Sequence, residues 1–539
     1  MLRREKMSAV DTAWLRMDRP TNLMMIVGVM VFNHRIDFER LRNTVEARLV
    51  GRYRRFRQCA VQEVAGAWWQ DDADFDLDAH LKRRALPGKA GKKELQALAG
   101  ELAVQPLNLG KPLWRFDLIE DYEGGSAMVV RIHHSIADGI ALVGVILSLT
   151  DVSPHAEAQA PVTPEEDEPE AEELSGGLLE ALAHTLGSVV SKGSELGGMA
   201  RDLASDRDRL ATYGWHGVGL VTELIKLLAM PADSATSLKG TTSTIKRVAW
   251  SDPIPLAEVK ALGKALGCSV NDILLSSVAG ALRAYFQQKG ESVEGVGVRA
   301  MIPVNLRTAS DAGTLGNRFG LGTLLLPLHE GNPFARLFLV RKRMNELKAS
   351  YQPALTLGIL AAVGLAPKLV QDEFLDILAA KASTVMTNVP GPTQPLYLAG
   401  SRLEQCMFWV PQSGNIGIGV SILSYNDKVQ FSLITDRHFV PDPQTIAPLF
   451  AAEFEKMLVA LLLLEWDAPP DPALIEQQLF GKQMPPPLSG IVKPKRNAPA
   501  ARRPAAKVAP VVRSRQAAAK ADPPAATPAT RVPKRFRAT

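Results

Sequence analysis

His133 and His134, followed by Asp138-Gly139, are the residues of this chain whose types and spacing best suit chemistry. Imidazole is the one side chain whose ordinary pKa lets it take and return a proton near neutral pH. The pair ends an apolar, β-rich run (residues 127–132) and stands just before a second apolar run (residues 140–149) with helical character. A histidine at a strand exit, with a carboxylate one helical turn on, is a candidate general base held by local geometry. Adjacent histidines also occur in inert surface loops, but such loops lack this strand and helix context. An unperturbed imidazole protonates at about 6.5, so activity is expected to fall below that pH. Asp138 has two readings: it orients His134, or it caps the following helix and pairs with a buried arginine. Its place at a helix start favours the structural role. Gly139 permits close backbone approach or a tight turn.

The elements that must position these residues are legible by pattern. Residues 24–32, 114–119 and 127–132 read as strands, the last two around an Asp-Tyr-Glu-Gly-Gly turn. Residues 38–50 place Leu41, Val45 and Leu49 at helical spacing, and residues 95–103 form another helix. In the second half, helices are expected at 256–266 (closed by Gly267), 271–286 and 450–464. Strands are expected at 298–303, 322–328, 416–424 and 428–435, the last two flanking the hairpin signal Tyr425-Asn426-Asp427.

Beyond the His-His-x-x-x-Asp-Gly motif, an ordered set of segments carries a resemblance. Met7-Ser8-Ala9-Val10-Asp11-Thr12-Ala13-Trp14 opens the chain, and Pro112-Leu113-Trp114 precedes the histidines. Val270-Asn271-Asp272, Pro303-Val304-Asn305-Leu306-Arg307, Gly316-Asn317-Arg318 and Asn388-Val389-Pro390-Gly391-Pro392 follow. Over residues 7–470 the chain resembles the bacterial wax ester synthase/acyl-CoA:diacylglycerol acyltransferase family of the CoA-dependent acyltransferase superfamily. The resemblance implies an α/β fold of mixed sheets, with two chloramphenicol-acetyltransferase-like domains. Their interface would hold the active site, and a helical linker would join them. The expected division is residues 1–150, an acidic disordered linker at 151–175, a helical linker at 176–240, a second domain at 241–482 and a disordered basic tail at 483–539.

The implied activity is acyl transfer from acyl-CoA to diacylglycerol or a long-chain alcohol. Acyl-CoA would be co-substrate, with no permanently bound cofactor and no metal. His134 would be general base and then acid, with His133 supporting it. No Gly-x-Ser-x-Gly elbow suggests an acyl-enzyme. Asn271 and Asp272 read equally as helix-cap residues and as substrate-side groups, where an Asn could donate to the acyl carbonyl. Trp114 is pocket wall or ordinary core. Asn305 and Arg307 support a substrate channel or bridge the domains. No arginine is singled out for the CoA phosphates, and no Walker or dinucleotide glycine pattern is present. Two other readings compete: a superfamily enzyme using a carrier-bound donor, and a non-catalytic lipid-inclusion binding protein.

At 539 residues the chain exceeds one ordinary core. Cys59, Cys268 and Cys406 have no paired spacing, which points to a reduced compartment. No secretory signal is evident, and the longest apolar stretches, such as residues 353–367, fall short of a spanning helix. Any membrane contact is therefore expected from one side. Residues 491–539 hold thirteen Lys/Arg against Asp522 alone. Of the formal +5, this tail carries +12, which leaves −7 for the body. Residues 151–173 are rich in Pro and acid, including Glu165-Glu166-Asp167-Glu168, and suit an exposed linker. Leu178, Leu182, Leu186 and Val189 form one helical face that fits packing across the domains or lying on a membrane. The tail is expected to favour an anionic membrane or lipid-inclusion surface over nucleic acid. The protein is expected in the cytoplasm, peripheral to the inner membrane or to inclusions. Acceptor preference and oligomeric state leave no mark in the sequence.

Overall fold

In strand Gly125–His133 every residue is buried, and its side chains divide between two cores. Met128, Val130 and Ile132 pack on one face with Ile26 and Met30, whereas Ala127 and Val129 pack on the other with Met25, Val27 and Val29. The period-2 alternation is intact, but both faces are covered, so the strand reads as one apolar run. This computed structural model describes residues 3–63, 66–155, 226–227, 229–307, 315–366, 368–463 and 472–480. The linker stripe at Leu178 to Val189 and the basic tail lie outside the described residues.

The first sheet runs Tyr397–Leu398, Ser401–Trp409, Met25–Phe32, Gly125–His133, Trp114–Tyr122, Leu81–Arg84. Its central hairpin closes through Glu123 (φ 49°) and Gly124 (φ 85°), the left-handed pair a tight two-residue turn requires. The second sheet runs Phe319–Leu326, Val298–Asn305, Thr384–Pro390, Ile418–Tyr425, Lys428–Asp436, Lys246–Trp250, with Ile254–Pro255 pairing beside Lys428–Asp436. Its hairpin turns at Asn426 and Asp427, with φ of 48° and 55°. The Leu256–Ala265, Val270–Gln288 and Ala447–Leu463 helices form where periodicity places them.

The division expected at residue 241 does not divide the sheets. Ser401–Trp409 crosses from the second half to pair with Met25–Phe32, Met407 opposite Val29 and Phe408 opposite Gly28. The reason is packing: Met407 and Trp409 complete the apolar face formed by Val27, Val129, Val248 and Trp250. Helix Gln352–Leu365, the apolar stretch noted above, packs against helix Ala9–Arg16. A Cβ on Gly364 would lie 1.8 Å from the Ala9 carbonyl oxygen, so only glycine allows that approach. Among the described residues, no single helix is long and apolar enough to cross a membrane.

Candidate active site

The last residues of strand Gly125–His133 are fixed by main-chain bonds on both sides. His133 N donates to Leu113 O (2.9 Å) and His134 N to Met24 O (2.7 Å). Beneath them Arg131 is buried, its guanidinium 3.3 Å from Asp117 and donating to the carbonyls of Leu102 and Gln105. The chain then turns, Ile136 N donating to His133 O, and enters helix Gly139–Ser148.

The two histidines part company here. The His133 ring accepts from Ser135 N through Nδ1 (3.1 Å), and its Nε2 lies 3.4 Å from Asp18 Oδ2. That ring is absorbed into the strand end. His134 faces a cavity of about 790 Å³, counting its open mouth, bounded also by Trp14, Asn305, Phe319 and Asn388. The indole of Trp14 stacks on the imidazole, centroids 4.2 Å apart and planes 20° apart, with Phe319 at 5.6 Å from the imidazole. Such a contact holds a ring with ~0.5–1.5 kcal/mol beyond its buried area. Burial lowers the His134 pKa to about 4; nearby Asp138 and the residue's own main-chain carbonyl oppose that shift, and His133 adds to it. The acid limb expected at about 6.5 is therefore displaced downward.

Asp138 is the cap of its helix and something more. Its Oδ1 accepts from Ile140 N (3.1 Å) and Ala141 N (2.9 Å). Its Oδ2 accepts from Arg307 Nη2 (2.8 Å) and Arg318 N (3.0 Å). Arg307 also donates to Gly316 O (2.7 Å), so it joins the two halves of the chain and is absent from the cavity wall. Of the two readings of Arg307, channel support or a bridge, its bond to Asp138 matches the bridge, and it is not among the residues that line the cavity. Asn317 makes a second tie: its Nδ2 donates to Asp11 Oδ1 and to His134 O, both at 2.7 Å.

The remaining candidates separate cleanly. Asn305 lines the cavity. Asn271 stands one layer back, its Oδ1 accepting from Asn388 Nδ2 at 3.0 Å. Asp272 forms a capping box with Ser269, at 2.9 Å from Ser269 N, and does not reach the cavity. Trp114 is core: its Nε1 donates to Phe56 O (2.9 Å) and His80 stacks on it at 4.6 Å. Gly139 makes no tight turn and has no left-handed φ; it opens the helix and lines the cavity, where a Cβ would meet only Val410, at 4.0 Å. Trp14, Asn317 and Asn388 belong to segments that carried the resemblance, yet their spacing assigned them no site role. Trp14 meets the His134 ring and Asn317 its carbonyl across more than a hundred residues of chain, and Asn388 lines the same cavity.

Comparison with known proteins identifies the family. Residues 7–274 match the wax ester synthase/diacylglycerol acyltransferase catalytic domain, and residues 315–458 the WS/DGAT C-terminal domain. A sequence named a probable diacylglycerol O-acyltransferase, from Mycobacterium tuberculosis, is 28% identical over 392 residues, covering 70% of this chain and 78% of the relative. A Mycobacterium bovis sequence named a putative diacylglycerol O-acyltransferase is 28% identical over 407 residues, covering 73% and 77%. In structure, the wax ester synthase/diacylglycerol acyltransferase of Marinobacter aquaeolei VT8 shares the fold, with a TM-score of 0.61 at 20% identity, covering 85% of this chain and all of that one.

Proposed function

The chain belongs to the wax ester synthase/diacylglycerol acyltransferase family and is an O-acyltransferase, and on that premise we propose that it esterifies a diacylglycerol or long-chain alcohol from fatty acyl-CoA, with His134 moving the proton. The observation that carries this reading is His134 itself, held neutral by burial and stacked in the wall of the largely apolar cavity. His134 Nδ1 is buried, so Nε2 is the nitrogen assigned to the substrate. Nε2 takes the acceptor's hydroxyl proton as that oxygen bonds to the thioester carbonyl carbon. The tetrahedral oxyanion collapses, the C–S bond breaks, and the imidazolium returns its proton to the CoA thiolate. The products are an ester and free CoA, with no acyl-enzyme. Asp138 lowers the energy of the transient imidazolium, and Asn271 fixes the amide of Asn388 at the cavity wall.

The test offers hexadecanoyl-CoA to the purified full chain with a diacylglycerol and hexadecanol in parallel, reading ester and free thiol. Ester formed with free acyl-CoA is expected. Ester formed only from a carrier-bound thioester would replace the proposal with the condensation-enzyme reading.

The basic tail supports a second part of the proposal, a cytoplasmic enzyme recruited to anionic membrane or a lipid inclusion. Each of its cations within a Debye length of about 8 Å contributes ~1 kcal/mol at most. Deleting residues 491–539 is expected to weaken anionic liposome binding and flatten its salt dependence. Turnover on detergent-dispersed acceptor should hold. Equal binding by both proteins across a salt series would remove this role.

A further inference from the structure

Part of the wall of the His134 cavity is a sheet face. Met301, Pro303 and Asn305 reach it from strand Val298–Asn305, and Phe319 and Leu321 from its neighbour Phe319–Leu326. Every second residue of a strand shares a face, which is the spacing seen here. These five side chains are apolar but for Asn305. It stands opposite Phe319 in the antiparallel register, and the Phe319 ring lies 5.6 Å from the His134 imidazole. Asn305 therefore holds the end of the wall nearest the base, and it is exposed there.

A neighbour fixes which way that amide is turned. Asn305 Oδ1 accepts from Arg307 N (3.0 Å), and Arg307 is itself held by Asp138 Oδ2 (2.8 Å) and Gly316 O (2.7 Å). An amide whose oxygen is taken offers its N–H groups. Among the described residues, no acceptor takes them. The amide of Asn388 differs, because its Nδ2 is already committed to Asn271 Oδ1 (3.0 Å). Thr387 is shared with an adjoining cavity that His134 does not border.

We propose that Asn305 reads the acceptor: its free N–H donates to an ester carbonyl of a diacylglycerol whose hydroxyl lies at His134. This rests on the acyltransfer reading above and names the acceptor class that the site favours. In a diacylglycerol whose middle carbon is esterified, a carbonyl oxygen stands close to the reacting hydroxyl, within reach of a donor beside the base. A long-chain alcohol has only methylenes there. The exposed amide bonds the first, and with the second it keeps its water and gains nothing. One such bond is worth ~2- to 12-fold in affinity or kcat/KM.

The experiment compares dioctanoylglycerol with dioctylglycerol, the diether that keeps the hydroxyl and both chains but lacks the carbonyls. Full-length wild type, Asn305→Leu and Asn305→Asp are assayed for kcat/KM with each acceptor and hexadecanoyl-CoA. Each acceptor is also titrated by calorimetry without acyl-CoA, a measurement that needs no turnover. Wild type is expected to prefer the diester ~2- to 12-fold, and Asn305→Leu to erase that preference. Asn305→Asp keeps an oxygen for Arg307 N but turns a second oxygen to the cavity, so it should lose the preference too. Equal handling of diester and diether by wild type would overturn the assignment, whatever the variants do. A preference that survives both substitutions would overturn it as well. So would kcat/KM values that fall together for both acceptors with their ratio kept, which would put the amide on the acyl donor instead. The acyltransfer reading stands or falls separately, on ester formation by wild type and its loss in His134→Ala.

Discussion

Asp138 and Asp272 each occupy the start of a helix, Gly139–Ser148 and Val270–Gln288, within motifs that the sequence singles out. Asp272 closes on its own turn, taking Ser269 N and Oγ at 2.9 and 2.6 Å. Asp138 gives one oxygen to its helix and the other to Arg307 and the main chain at Arg318, residues from the far half of the chain. Both are helix-start carboxylates, Asp138 as the N-cap and Asp272 at the third position, reaching back to the Ser269 cap. The difference lies in the second oxygen. A cap that looks inward steadies one helix; a cap that also looks outward joins the base-bearing turn to the opposite wall of the cavity.

Four measurements would break or sharpen that contrast. The largest effect is expected from His134→Ala, which should cut transfer by ~10² to 10⁴-fold with the fold kept, while His133→Ala is milder. A folded His134→Ala enzyme retaining a tenth of normal turnover would move the chemistry elsewhere. Next comes Asp138→Asn: the amide can still cap, but Arg307 loses its buried counter-charge, a cost of about 3–5 kcal/mol. Its melting temperature should drop well below wild type, whereas lost turnover with normal melting would recast Asp138 as the orienter of His134.

The third measurement is pH. Because burial holds the His134 pKa below that of the unfolded chain, folding stability from this group is present above about pH 6.5 and is lost as pH falls toward about 4. The base likewise stays neutral across that window, so the acid limb of kcat should lie well under 6.5 and should disappear or shift in His134→Ala. An acid limb at 6.5 would show that the ring is solvated in the working enzyme. The smallest effect is expected at the inward-looking cap: Ser269→Ala should cost about 1 kcal/mol in denaturant unfolding with kcat unchanged. A fall in kcat beyond severalfold would bring the Asn271–Asp272 segment into the reacting centre.

Much of the scaffold is readable along the chain because its signals are local. The hairpin at Asn426-Asp427 and the helices at 256–265 and 270–288 announce themselves by turn chemistry and spacing. Ser401–Trp409 does not. Arg402, Glu404 and Gln405 interrupt its apolar positions, and a register shift between Leu403 and Gln405 breaks the alternation a strand is recognised by. The His134 turn is legible for the same local reasons as the hairpins. Its surroundings are not: Asn317 reaches His134 O across 183 residues, and Arg307 reaches Asp138 across 169. Nothing in the spacing of Asn305 and Arg307 indicates that one lines the cavity and the other turns to Asp138.

The strand that crosses between sheets also sets an order of events during synthesis. Met25–Phe32 leaves the ribosome early, yet its neighbour on one side begins at residue 401. At ~5–20 residues per second, that apolar edge waits tens of seconds for its partner. Until then its unpaired N–H and C=O groups are a template for other chains. A chain stopped before residue 401 would keep the histidine turn but carry a permanently open edge, so fragments ending there should aggregate rather than serve as miniature enzymes.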